Sequence, residues 1–424
     1  MFRSLSELSE LNPNFQCPST VELSDPVSFI PMGDVSDSGH WTTRRTRPLK
    51  SVRQGFTPFA NGDVLFAKIT PCMENGKGAH VMDLANGVGF GSTEFHVLRP
   101  KPGADARFIF HHTQHRELRF AAEAAMTGSA GQKRVPTEFF RKWKIYAPGK
   151  EEQARIAQIL DILDTQIQKT ETLIAKLEKI KEGVLYDLLT RGIDQKGQLR
   201  PAPDQAPELY REGGLNMIPI NWRTASLREL SSIIIDGTHY TPTYVESGVP
   251  FLRVTNLHHR DINLSKFKYI SEREHKILSA RCNPERGDIL LSKNGTVGIA
   301  KMVSWDWDFS IFVSLALIRF KDDSGILPQF AELVINSPIV AKQIAVQSKQ
   351  GTVTNLHLEE IRKFTVPIPD LHEQQCIVSE LSKLSTRINK EIDQHEKLLT
   401  LKQGLAEDLL SGRVRVTPLL KDAV

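Results

Sequence analysis

The sequence predicts an α+β fold: two mixed α/β globular domains separated by two long helices packed as an antiparallel coiled coil, with a pseudo-twofold internal repeat. Three observations lead there. A proline, a Glu-Gln pair and an isoleucine-leucine stripe occur in that order twice, in APGKEEQARIAQILDIL at 147–163 and PIPDLHEQQCIVSELSKL at 367–384. Each occurrence follows a long stretch of short, strand-like runs. Between the halves lies GQLRPAPDQAPELYREGG (197–214), whose proline, glycine and charge are the composition of a linker. The expected boundaries are a globular domain over 1–150, a helix over 151–195, a linker over 196–220, a second globular domain over 221–370 and a second helix over 371–415.

The copies align without a gap when Arg141-Lys142 is set on Arg362-Lys363. Pro148 then meets Pro369, Glu152-Gln153 meets Glu373-Gln374, and Gly183 meets Gly404. About a third of the positions are identical, well above chance for two helices, so the segment is duplicated. A fainter echo precedes each copy. NGDVLFAKI (61–69) resembles RGDILLSKN (286–294), GSTEFHVLRP (91–100) resembles VSLALIRF (313–320), and GSAGQKRVPTEFFRKW (128–143) resembles KQGTVTNLHLEEIRKF (349–364).

In the first helix Ile156, Leu160, Leu163, Ile167, Ile174, Leu177, Val184 and Leu188 recur at alternating three- and four-residue steps, the period of a coiled-coil seam. The second helix carries Ile377, Leu381, Leu384, Ile388, His395, Leu398, Leu405 and Leu409 at the equivalent places. One such stripe alone equally describes a helix lying on its own domain's core; two matched stripes point to mutual packing. At 1.5 Å per residue, helices of about 35 to 40 residues run roughly 55 to 60 Å. His395 takes the place of Ile174 and reads as a tolerated seam contact, with no partner residue evident beside it.

Charged residues at 25% and hydrophobic ones at 40% are the balance of a globular chain and exclude wholesale disorder. No run approaches the roughly 18 apolar residues of a membrane span, and the N-terminus lacks a signal core, so no membrane association and a cytoplasmic location are expected. Cys17, Cys72, Cys282 and Cys376 form no CxxC and stand near no histidine at zinc-ligand spacing, which argues for reduced thiols and no metal site. A net charge of +4 permits an acidic partner without requiring one.

The distribution of charge says more. No acidic residue separates Asp37 from Asp63, a window holding Arg44, Arg45, Arg47, Lys50 and Arg53 interleaved with Trp41, Phe56 and Phe59. A second acid-free run, 124–137, carries Lys133 and Arg134 in a glycine-rich loop, and its repeat equivalent, 333–358, carries Lys342, Lys349, Gln350, Thr352 and Asn355. Such loops supply phosphate contacts through charge and base-edge contacts through paired donors and acceptors. One basic loop alone is ordinary solvated surface; recurrence in both halves points to a binding face.

Catalytic motifs are missing. Adenine methylation needs a glycine-rich cofactor loop and an Asn-Pro-Pro-aromatic box, whereas NPNF at 12–15 lacks the second proline and reads as a turn. ENGKGAH (74–80) lacks the first glycine and the hydroxyl of an ATP-binding loop. A nuclease reading of Asp63 with Lys68, or Asp288 with Lys293, lacks the carboxylate two residues before the lysine, where Phe66 and Leu291 stand. No cofactor and no chemistry by the chain alone are expected.

PGKEEQARI and PDLHEQQCI, the helix end DLLTRGI, GLNMIPINWRTASL (214–227) and DGTHYTP with VPFLRVTNL together resemble the DNA-specificity subunit of type I restriction-modification systems, over nearly the whole chain. The first half shows no equivalent of DGTHYTP. The resemblance implies that each globular domain is a target recognition domain reading one half-site of an asymmetric, bipartite duplex DNA target. The helices would then act as a ruler for the spacer. Two methylation subunits and the restriction subunits would be partners, holding the methyl donor and ATP themselves. Half-sites on one face of B-DNA lie about one turn (~34 Å) apart, within reach of a rod nearing 60 Å. By resemblance and residue chemistry the DNA-contact candidates are Arg44, Arg45, Lys68, Lys77, Lys133 and Arg134 in the first domain. In the second they are Thr238, His239, Arg253, Asn256, Lys293, Asn294 and Lys349. The rival readings are a coiled-coil protein-interaction scaffold without DNA binding and a free-standing nuclease.

Overall fold

The computed structural model describes residues 1–129, 131–214, 217–258, 262, 267–347 and 355–416. The chain divides into two compact units, Met1–Thr172 with Ile392–Val424, and Leu173–Glu391.

The first unit contains β1 (Phe2–Ser4), β2 (Ser9–Leu11), β3 (Pro26–Ile30), β4 (Arg45–Pro48), β5 (Thr57–Ala60), β6 (Val64–Ala67), β7 (Gly78–His80), β8 (Val88–Gly91), β9 (Phe95–Pro100) and β10 (Lys144–Tyr146). Its short helices are α1 (Leu5–Leu8), α2 (Ala106–Gln114), α3 (Arg116–Ala124) and α4 (Thr137–Lys142), and α5 (Lys150–Thr190) begins here. One sheet, in the order β2-β9-β6-β7, is antiparallel throughout. The other, β4-β3-β8-β5, includes the parallel pair β3 and β8. All four residues of β6 are buried, so this strand reads as a continuous apolar run instead of alternating.

The second unit contains β11 (Tyr210–Glu212), β12 (Met217–Pro219), β13 (Arg223–Ser226), β14 (Ser231–Asp236), β15 (Tyr244–Val245), β16 (Val249–Leu252), β17 (Lys268–Ile270), β18 (Ile289–Ser292), β19 (Ala300–Met302), β20 (Ser310–Ile311), β21 (Leu315–Phe320) and β22 (Thr365–Ile368). Its helices are α6 (Leu227–Leu230), α7 (Glu272–Ser279), α8 (Pro328–Ile335), α9 (Pro338–Gln347), α10 (Leu358–Lys363) and the start of α11 (Leu371–Ser411). The order β14-β21-β18-β19 repeats that of β2-β9-β6-β7, again antiparallel. The second sheet, β15-β17-β16-β20, repeats three strands of the first unit's, with β17-β16-β20 paired as β4-β3-β8 are, but carries its fourth strand on the opposite edge, β15 beside β17 where the first unit has β5 beside β8. One sheet therefore recurs whole, and the other recurs in three strands and differs at its edge strand.

Both long helices have 41 residues and occupy the same register of the repeat. Each ends before a glycine in the left-handed region, Gly192 at φ 66° and Gly412 at φ 77°, the geometry that terminates a helix at no steric cost. In the first unit Ile156 and Leu160 of α5 share a core with Leu409 and Leu410 of α11, around Phe66, Phe108 and Phe140. In the second, Leu188 and Leu189 share a core with Ile377 and Leu381, around Trp222, Phe330 and Phe364.

Several expectations need correction. The helical period of PQFAELVINSPIVAKQIAVQ (328–347) and ARFIFHHTQHRELRFAAEAAM (106–126) reads as one helix each, but each is two, because Pro338 cannot continue α8 and the first unit breaks at His115. Within 196–220, β11 pairs antiparallel with β12, and Tyr210 and Ile218 are buried. Both halves open on a capping box, Ser4 with Glu7 before β2 and Ser226 with Glu229 before β14. His395 is not without a partner, since its Nε2 lies 3.0 Å from Glu171 Oε1. Among the described residues no helix is long and apolar enough to cross a membrane.

Candidate nucleic-acid interface

Lys293 leaves the end of β18 and is clasped by backbone on both sides. Its N–H donates to Ser314 O at 2.9 Å, its carbonyl accepts from Leu356 N at 2.7 Å, and Asn294 bridges Asn355. Lys68, after β6, is held in the same way: its N–H donates to Glu94 O and its carbonyl accepts from Val135 N, both at 2.9 Å, while Ile69 bridges Arg134. In the first unit, the acid-free loop thus lies against a lysine-bearing strand end. Lys349, in the corresponding loop of the second unit, lies outside the described residues.

In the second unit the clasp surrounds a carboxylate. Asp236, 4% exposed at the end of β14, meets Lys293 Nζ at 3.0 Å, Arg281 Nη2 at 3.0 Å and His239 Nε2 at 3.2 Å. Burial acts to raise its pKa, but the hydrogen bonds from Lys293, Arg281 and His239 outweigh it and hold the carboxyl below the usual range. Thr238, on the same segment, is buried and accepts Val313 N–H with its carbonyl. Asn256 is wholly buried and caps the Arg253 amide, and Val254 N donates to Ser314 Oγ, which brings Arg253 beside the lysine strand. Arg253 Nε and Asn294 Oδ1 are buried atoms with no hydrogen-bond partner among the described residues. Unsatisfied buried polar atoms are the exception in folded proteins.

In the first unit Glu94 takes a fork from Arg134, with Nε at 2.9 Å and Nη2 at 2.8 Å, and that hydrogen bonding lowers the Glu94 pKa. Lys133 is exposed, and its carbonyl accepts from Thr70 N. Arg45 opens β4 of the other sheet, and Arg44 immediately precedes it. Arg44 lies 3.9 Å from the Trp41 ring centroid and donates to Met82 O, while Arg45 pairs with the buried Asp34 at 2.6 Å. Arg47, on the exposed β4, lies 4.0 Å over Phe29. Each of these guanidinium groups is oriented by the protein before any partner arrives.

Three candidates face inward. Lys77 Nζ donates to Val35 O at 2.8 Å and to Met32 O at 3.3 Å, so it ties a loop down instead of facing solvent. Thr238 and Asn256 likewise spend their polar groups on the fold. Arg281, Asp236 and Glu94 join these clusters without being singled out by the sequence. Asp236 heads the DGTHYTP string and was within view; Arg281 lies in no motif and only the fold brings it there.

Of the helix-pairing candidates, Ile156, Leu160, Leu163, Ile167 and Leu177 are buried, as are Ile377, Leu381 and Ile388. Leu384 and Leu398 are half-buried.

A duplicated frame with a basic cluster at the same strand end in each copy defines a protein of two like units. The chain belongs to the type I restriction modification DNA specificity domain family, which matches residues 2–179 and again 219–397. Among curated relatives it is 37% identical over 193 residues to the EcoEI specificity subunit of Escherichia coli, covering 41% of this chain and 32% of that protein. It is 36% identical over 196 residues to the EcoAI specificity subunit, covering 44% and 32%. The matches span about a third of the length of these relatives. A solved S subunit from M. genitalium, of a type I restriction-modification system, superposes with a TM-score of 0.57 at 16% identity, over 97% of this chain and 96% of that one. A chain from a structure of complex assembly and conformational transition in a type I R-M system gives 0.57 at 18% identity, over 98% of each. At such identities the likeness is of fold.

Proposed function

We propose that this chain is the non-catalytic DNA-specificity subunit of a type I restriction-modification complex, binding duplex DNA at an asymmetric, bipartite target. On this reading each unit is a target recognition domain, and the candidates near Lys68 and Lys293 are the centres of contact. Helices α5 and α11 pair antiparallel as a coiled coil that sets the spacer and docks two methylation subunits, with restriction subunits joining for cleavage. Support for the pairing comes from the cores in which the first turns of each helix meet the last turns of the other.

The observation that carries the reading is the contrast between the two sheets. The antiparallel frame, the lysine clasp and the helices recur, whereas the second sheet differs at its edge strand, β5 in one unit and β15 in the other. A shared partner and a common scaffold preserve the first group; two different half-sites require the second to differ. A protein-binding scaffold would have no need of matched basic clusters.

Mapping methylated adenines in cells with and without the gene tests the proposal. The expected result is one bipartite, asymmetric motif that disappears with the gene. Marks that form an unbroken palindrome, or that persist without this chain, would refute it.

A further inference from the structure

We infer that Asp236 is a positioning residue that sets which sequence the second unit reads, acting through Arg281, Lys293 and His239. The inference rests on the DNA-specificity reading above and goes beyond it by naming the group that makes the cluster selective. Asp236 is too buried, at 4% exposed, to touch a base edge itself. It nonetheless fixes three cationic or polar side chains at once, with Oδ2 taken by Lys293 and Oδ1 by Arg281 and His239. Arg281 and His239 stay 55% and 67% exposed, so the carboxylate holds their inner ends while the outer ends face solvent.

Of the five N–H groups on Arg281, one goes to Asp236 and one to Gly237 O at 3.0 Å. The remaining edge is a preset fork for guanine or phosphate acceptors. In the same unit, Asn294 follows Lys293, and its Oδ1, like Arg253 Nε, is buried without a hydrogen-bond partner among the described residues. The first unit uses the same device at the same strand end with different parts: Glu94, adjoining Lys68 through the backbone, forks Arg134. A carboxylate in such a place does two things. It orients the donors, and it subtracts positive charge that would otherwise attract any DNA.

These two effects give opposite signs in one experiment. The full chain, purified with its methylation subunits, is titrated with a duplex carrying the mapped target and with duplexes in which either half-site is scrambled, across a range of salt. For Asp236→Asn the preference for an intact second half-site falls about tenfold or more, while preference for the first half-site is unchanged. Binding to the duplex lacking the second half-site becomes tighter and steeper in salt by about one counterion. Arg281→Ala, at an exposed position that the fold tolerates, loses the same discrimination without the tighter binding. Asp306→Asn, which removes an exposed charge paired with Arg286 in the same unit, leaves discrimination intact.

Unchanged discrimination in both Asp236→Asn and Arg281→Ala would overturn the inference. So would a parallel loss of binding to every duplex together with a lower melting temperature, since that is a purely structural role. A wild-type complex that bound target and scrambled duplexes equally would overturn the specificity reading itself, and this inference with it.

Discussion

Glu373, 5% exposed at the start of α11, grips Arg200, which lies beyond the end of α5. The same carboxylate accepts the Ile193 amide at 2.7 Å and the Trp222 indole at 3.0 Å. Its repeat counterpart Glu152, at the start of α5, takes a fork of 2.7 and 2.7 Å from Arg415, beyond the end of α11. The glutamines beside them act alike. Gln153 accepts from Asp105 N and donates to Pro148 O, while Gln374 accepts from Leu327 N and donates to Pro369 O. The proline and Glu-Gln pair recurs because it is a clamp that joins one helix's start to the segment after the other's end, and to the loop before the next short helix. A side chain at Gly192 would collide with Glu373, Arg200 and Trp222, which is why the α5 end needs glycine there.

Breaking this clamp is expected to be costly in proportion to burial. Glu373→Ala leaves Arg200 and the Trp222 indole unpaired inside the protein and should destabilise the second unit by about 3–5 kcal/mol. Glu152→Ala should cost less, because Arg415 is half exposed and can turn to water. Urea denaturation of the two variants against wild type checks the ranking; equal costs would show that burial does not govern the clamp.

Acid should weaken the first unit before the second. Burial pushes His112 down to about 3, and it also lowers His40, His80, His96 and His115, all of them in the first unit. A histidine whose folded pKa lies below its unfolded value contributes fully above about 6.5 and loses that contribution as pH falls toward the folded pKa. For His112 alone the loss at pH 5 is about 2 kcal/mol. Calorimetry at pH 7.5 and 5.5 should show one transition moving down ahead of the other, and His112→Phe should reduce the shift.

Base contact and phosphate contact separate in the binding data. Lys293→Ala should impair recognition of one half-site by about 1–3 kcal/mol and leave the other untouched, and Arg134→Ala should do the reverse. Arg45→Ala, on the exposed β4, should weaken binding to every duplex alike and reduce the salt slope by about one. Binding assays on duplexes with either half-site scrambled distinguish these outcomes.

The ruler proposal makes a discrete prediction. Inserting one heptad into each long helix, after Thr172 and before Ile392, adds about 10 Å of helix, close to three base pairs at ~3.4 Å. Methylation mapping should then find both half-sites unchanged and the spacer lengthened. An unaltered spacer would mean that the helices do not set it.

Much of the architecture was legible in the residues because it is local or duplicated. The three- and four-residue steps from Ile156 to Leu188 specify a helix through neighbours along the chain. The second copy, from Ile377 to Leu409, repeats the evidence independently. The apolar runs VLFA and ILLS announce buried strands for the same local reason, and the acid-free loops stand out by composition. The roles of Lys77 and Asn256 were not legible: whether a lysine faces solvent or ties down Val35 O depends on a loop 42 residues away.

By itself, then, the sequence determined the two helices, their matched stripes, the order of globular and helical parts and the family they resemble. The tertiary structure alone decided that one sheet recurs whole and the other in only three strands, that Glu373 finds Arg200, and that Arg281 reaches Asp236 across 45 positions. Periodicity records what a residue's near neighbours require. Which cation meets which carboxylate is settled only when distant strands close, because Coulomb attraction and hydrogen bonding depend on separation in space and leave no period along the chain.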